Sequence, residues 1–147
     1  MFDLGQYLPY LVNRAGVRLA VNFDRDIRAH GVAVQEWRVL AALAAHGGQR
    51  LSDLALLTSI DLSTLSRLVG RMATSGLVTR GRSAGDKREV LVAPTALGKR
   101  TTRAILPTAR RYERIALAGI GDDEAALLKR LLDRVYANLD ALEAAPE

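Results

Sequence analysis

Apolar positions recur along most of this chain at three- and four-residue intervals, and they leave that rhythm once, between Leu77 and Val92. Residues 7–29 set Leu8, Leu11, Val12, Ala15, Leu19, Val21 and Phe23 among Arg14, Arg18, Asp24, Arg25 and Arg28, the spacing of an amphipathic helix. Gly31 ends it. A second helix is predicted from about Val34 to Ala45, with Trp37, Leu40 and Leu43/Ala44 on one face and His46-Gly47-Gly48 as its stop. Ser52 to Leu57 reads as a short helix capped by Ser52. The fourth helix starts near Asp61 or Ser63 and ends near Gly76. Leu62, Leu65, Val69 and Met72, with Leu68 beside them, form its core-facing stripe.

The period then changes. Leu77-Val78-Thr79-Arg80 and Glu89-Val90-Leu91-Val92 are strand-like runs, and the Gly81–Arg88 segment between them is a turn-forming loop. Thr95 caps a further helix expected to run to about Ala118 and to be interrupted or bent at Pro107. Gly119-Ile120-Gly121 breaks it, and Asp122-Asp123-Glu124 opens the last helix where the dipole favours acids. Leu128, Leu131/Leu132, Val135, Leu139 and Leu142 stripe that helix. The expected fold is mainly α with a small β-hairpin wing: a winged helix-turn-helix lobe of about residues 30–98, flanked by helices at 1–29 and 99–147. The flanking helices have no obvious intramolecular core to cover. Their stripes predict a dimerisation region and a second copy of the chain as partner.

Charge sharpens the picture. Residues 61–103 carry nine Lys/Arg against three acids, whereas the whole 147-residue chain is only +5, so its flanks are nearly neutral. A helix followed by a basic hairpin suits the phosphate backbone of double-stranded DNA. On the polar face of the fourth helix, Ser63, Thr64, Arg67, Arg71 and Thr74 can bond phosphates and base edges. At the wing, Arg82, Lys87 and Arg88 surround Asp86, and such a loop can enter a minor groove. A general polyanion binder or protein-interaction module is the competing class; it would bind in a salt-sensitive way without preferring any DNA sequence.

Other chemistry is thin. With no Cys there is no disulfide, thiolate metal site or thiol redox sensor. His30 and His46 lack metal-ligand spacing, and no nucleophile–base pair or phosphate-binding glycine loop stands out, so neither metal, cofactor nor enzyme activity is expected. No apolar run reaches the roughly 18–20 residues of a membrane span. The N-terminus lacks the basic and apolar regions of a signal peptide, and a cytoplasmic protein without a membrane role is expected. Trp37 on an apolar helix face fits a core. Together with Tyr10 and Arg14, and with Tyr7 nearby, it could instead line a pocket for an anionic aromatic effector.

The ordered set of motifs resembles the MarR family of bacterial winged helix-turn-helix regulators over nearly the whole chain. The resemblance rests on Gln35-Glu36-Trp37-Arg38-Val39-Leu40-Ala41-Ala42-Leu43, Leu51-Ser52-Asp53-Leu54-Ala55, Asp61-Leu62-Ser63-Thr64-Leu65-Ser66-Arg67, Gly76-Leu77-Val78 and Leu127-Leu128 with Leu131-Leu132. Its most specific part is Asp86-Lys87-Arg88 followed by Val90, Val92, Thr95 and Gly98, with Pro94 where the pattern usually has Leu. The resemblance implies a homodimeric regulator, usually a repressor, on a palindromic operator, released by a small, often phenolic or anionic, ligand. It implies that Ser63, Thr64, Ser66 and Arg67 begin the groove-facing part of the recognition helix. Arg88 would enter the minor groove, with Asp86 holding it and Lys87 on the backbone.

Overall fold

The computed structural model describes residues 1–144. The end of the C-terminal helical region, residues 145–147, lies outside the described residues. A 3₁₀ turn at Leu4–Gln6 leads into α1 (Leu8–Ile27), whose Pro9 sits in the first turn, where no helical N–H is lost. α2 (Val34–His46) begins with two borrowed caps. Glu36 accepts the Ala33 N–H at 2.9 Å, and Asp24 of α1 accepts the Val34 N–H at 2.8 Å. Gly47, at φ 75°, closes α2 in the left-handed region that favours glycine.

Then follow β1 (Gln49–Arg50), α3 (Leu51–Thr58), α4 (Leu62–Thr74), β2 (Val78–Arg82), β3 (Val90–Pro94), α5 (Ala96–Ala116) and α6 (Asp122–Ala144). The wing is therefore a three-stranded antiparallel sheet in the order β1-β3-β2, not the two-stranded hairpin expected from sequence. Gln49 and Arg50 are strand because they pair with Val92 and Leu91. Ser52 does not cap α3: the helix starts one residue earlier, and Arg50 takes the cap position without a side-chain hydrogen bond to the cap. Pro107 does not interrupt α5, which is helical from Ala96 to Ala116 around it.

The chain forms two compact units, one from Met1 to Arg110 and one from Arg111 onward. The core of the first gathers Phe23 and Ile27 of α1, Val39, Leu40 and Leu43 of α2, Leu54 of α3, and Leu65, Leu68, Val69 and Met72 of α4. Val32, Ile60, Leu77, Val78 of β2, Val92 of β3 and Ile105 of α5 are buried with them. On α2, Val39 belongs to this core and Ala44 is exposed. Leu62 also departs from its expected place. At the first position of α4 it precedes the turn that meets the core, and it is 53% exposed.

The base of the wing is locked by the Thr95…Gly98 pair. Thr95 Oγ1 donates to the Gly76 carbonyl at 2.5 Å and accepts the Gly98 N–H at 3.0 Å, while its N–H reaches the Leu77 carbonyl at 3.2 Å. Gly98 is buried directly against Leu77, with no room for a Cβ. The second unit differs. Among its described residues α6 buries none, and Leu128, Leu131, Leu132, Leu139 and Leu142 are all exposed.

Candidate nucleic-acid interface

Each end of the candidate surface is shaped by short-range hydrogen bonding. Asp61 is the N-cap of α4, and its Oδ1 accepts the Thr64 N–H at 3.0 Å and the Ser63 hydroxyl at 2.7 Å. The Thr64 hydroxyl and amide, then the Ser63 hydroxyl, hold the Asp61 carboxyl down to about 2, so it stays charged at the positive end of the helix. The hydroxyls of Ser63 and Thr64 are thus turned to their own cap. Ser66, one turn on, is half-buried and bonded to Arg80 of β2. Arg67 is exposed and makes no hydrogen bond or ion pair to the described residues. Arg71 is exposed too, but it borders a cleft of about 600 Å³ with Asp24, Arg28, Glu36 and Leu68.

In the wing, Arg82 is the last residue of β2 rather than part of the loop, and its guanidinium donates to the Lys87 carbonyl across the turn. Asp86 Oδ1 accepts the backbone N–H of Arg88 at 2.9 Å. It therefore fixes the chain at Arg88 and leaves the guanidinium alone. The side chains of Lys87 and Arg88 are exposed and make no contact of this kind with the described residues.

Two arginines that sequence reasoning counted only as charge organise this surface. Arg50 of β1 bonds Asp53 at 2.7 Å and Glu89 at 2.9 Å, which ties the start of α3 to the root of the wing and pushes the guanidinium further toward its charged form. Arg80 of β2 forks onto Ser66 of α4. Glu89 lies 39 residues from Arg50 and Ser66 lies 14 from Arg80, so no local pattern announces either pair.

The effector candidates do not form one pocket in the single chain. Arg14 sits over the Tyr10 ring, 5.6 Å from its centroid, on the exposed side of α1. Trp37 instead packs edge-on against Phe23, with ring centroids 5.8 Å apart. It borders a cleft of about 390 Å³ with Arg38, His46 and Leu57. Tyr10 and Phe23 are 13 residues apart on one helix, so about 20 Å of axial rise separates the two clusters. Among the described residues no three His, Asp or Glu gather to hold a metal ion, and no helix is long and apolar enough to cross a membrane.

The architecture has close counterparts. The MarR family model matches residues 30–89. The HTH-type transcriptional repressor IacR of Pseudomonas putida is 28% identical over 133 residues, which cover 90% of this chain and 80% of the relative. A crystal structure of a MarR-family regulator from Silicibacter pomeroyi superposes with a TM-score of 0.82 at 29% identity, covering 92% of each chain. Bordetella bronchiseptica BpsR, whose DNA binding is regulated by 6-hydroxynicotinic acid, superposes with a TM-score of 0.79 at 25% identity, covering 88% of this chain and 98% of that one. In sequence and architecture this chain is similar to winged helix-turn-helix transcriptional regulators of the MarR family.

Proposed function

We propose that the protein is a cytoplasmic, sequence-specific repressor that binds a palindromic operator as a homodimer. α4 lies in the major groove and the wing tip in the neighbouring minor groove. The observation that carries this reading is the division of labour among the cations. Arg50, Arg80 and Arg82 are engaged inside the fold, while Arg67 on α4 and Lys87 and Arg88 on the wing are left with exposed, unengaged charges. Arg67 is the base-reading residue, as Arg is the usual bidentate partner of guanine. Ser63, Thr64 and Ser66 support it, Lys87 and Arg88 hold the backbone and minor groove, and Arg71 contributes phosphate contact at the edge.

Dimerisation is supported by the apolar residues that α1 and α6 leave exposed, with Leu139 at 57% and Leu142 at 72%. An anionic aromatic effector is supported by the Tyr10–Arg14 pair and by the regulation of BpsR by 6-hydroxynicotinic acid.

Selection of duplexes from a randomised pool at roughly 150 mM salt tests the reading. A palindrome with half-sites about one helical turn apart is the expected product. Salt-sensitive binding without any recovered motif would replace the repressor with a general polyanion binder. About four phosphate contacts per subunit give a log–log salt slope near −7 for the dimer.

A further inference from the structure

We propose that Arg80 is a positioning residue that presets Ser66 as a hydrogen-bond donor to DNA and fixes α4 against the wing sheet. The inference rests on the DNA-binding role given to α4 above. The Arg80 guanidinium spans both oxygens of one residue: Nη1 donates to the Ser66 carbonyl at 2.8 Å and Nη2 to the Ser66 hydroxyl oxygen at 3.0 Å. Gly70, one turn further along α4, lies beside the same guanidinium: a Cβ built there would stand 3.6 Å from Arg80 Nη1, an ordinary van der Waals contact.

The direction of the bond matters. An arginine only donates, so it occupies a lone pair of the Ser66 hydroxyl and leaves the hydroxyl proton uncommitted. A helical Ser or Thr commonly gives that proton back to the carbonyl four residues earlier. Thr58, Thr74 and Thr102 all do so here, at 2.7, 3.1 and 2.8 Å. Ser66 gives no such bond to the described residues. Its proton is free for an outside acceptor, and the neighbouring positive charge makes the hydroxyl a stronger donor. On a duplex the acceptors are phosphate oxygens and the base-edge atoms N7 and O6 of guanine, N7 of adenine and O4 of thymine.

The test compares the full chain with Ser66→Ala, Arg80→Lys, the double variant and Arg67→Ala. Each binds the selected duplex and a random duplex of equal length at fixed salt. Lys keeps the charge but cannot fork onto two oxygens. Ser66→Ala and Arg80→Lys are each expected to weaken the selected duplex about three- to tenfold. Because they break one arrangement, the double variant should lose no more than the larger single loss. A loss confined to the selected duplex identifies a base-edge acceptor, and an equal loss on both identifies a phosphate; either outcome supports the donor role. Wild-type affinity in Arg80→Lys, or two losses that multiply, overturns the proposal. Should Arg80→Lys lower the melting temperature, Ser66→Ala alone carries the test, and wild-type affinity there refutes the donor. If Arg67→Ala leaves both duplexes unaffected, the DNA-reading role of α4 is what fails.

Discussion

Replacing Gly98 with alanine should destabilise this protein even though alanine is the better helix former. The added Cβ would meet the Leu77 carbonyl oxygen at 2.1 Å, its carbon at 3.2 Å and Leu40 Cδ2 at 3.4 Å. The obstacle at 2.1 Å is backbone, so no side-chain rotation relieves it. Restoring ordinary contact near 3.4 Å moves α5 and Leu77 apart by roughly 1.3 Å. That separation lengthens the Thr95 N–H bond to Leu77 and the Thr95 hydroxyl contact with the same carbonyl, now at 3.2 and 3.1 Å. Overpacking of this kind costs about 1–3 kcal/mol, and each weakened hydrogen bond adds up to about 1 kcal/mol. The helix preference of Ala over Gly returns about 1 kcal/mol. With both hydrogen bonds lost in full, the net is a loss of about 2–4 kcal/mol, or roughly 5–12 °C in Tm for a chain of this size. Thermal and urea unfolding followed by circular dichroism, at one fixed protein concentration, measure it. Gly70→Ala is the matched control: its Cβ meets only a flexible guanidinium tip at 3.6 Å. It should gain up to about 1 kcal/mol by restricting the unfolded chain. A Gly98→Ala midpoint at or above wild type would refute the close-approach argument.

The remaining predictions concern charge and assembly. Asp61 has a folded pKa of about 2 against about 3.9 unfolded, so its stabilising effect is complete above pH 4 and drains away as pH falls toward 2. The Tm gap between wild type and Asp61→Asn should therefore close over that window, and a gap that persists unchanged at pH 2 counts against the cap. Arg67→Ala should cost about 1–3 kcal/mol of operator binding and relax sequence preference; equal weakening on random DNA would reduce it to a positioning contact. Arg88→Ala should lose affinity while melting with wild type, and an unchanged footprint and affinity would remove the wing from the interface. Leu132→Glu with Leu139→Glu should convert a sedimenting dimer to the 15.9 kDa monomer, and an unchanged mass would place the interface elsewhere.

The helical rhythm and the period-two break at Leu77 were enough to place the main helices and the wing, because each is set by residues within one or two turns. Leu62 escaped because periodicity assigns a face but not a depth: the first residue of α4 shares the stripe and still lies outside the core. Strand β1 escaped because nothing in Gln49-Arg50 favours a strand except the partner, 43 residues away, that pairs with it. The Thr95…Gly98 pattern was visible as a motif, but its cause, a carbonyl pressed against the helix, is visible only in three dimensions. At the site, Arg67, Lys87 and Arg88 were legible as charge. Which cations are engaged internally was not, since Arg50 and Arg80 find their partners through tertiary contacts.

The strand order β1-β3-β2 leaves β2 at an edge of the sheet, with no second strand beside Val78–Arg82 among the described residues. Such an edge is a template on which another chain can add a strand, and bulky charged side chains are a common safeguard. Arg80 and Arg82 stand on that edge with Gly81 between them. These two cations, engaged with Ser66 and the Lys87 carbonyl, thus also put charge on an edge that would otherwise invite pairing with another chain. Their replacement by β-branched apolar residues would trade solubility as well as affinity.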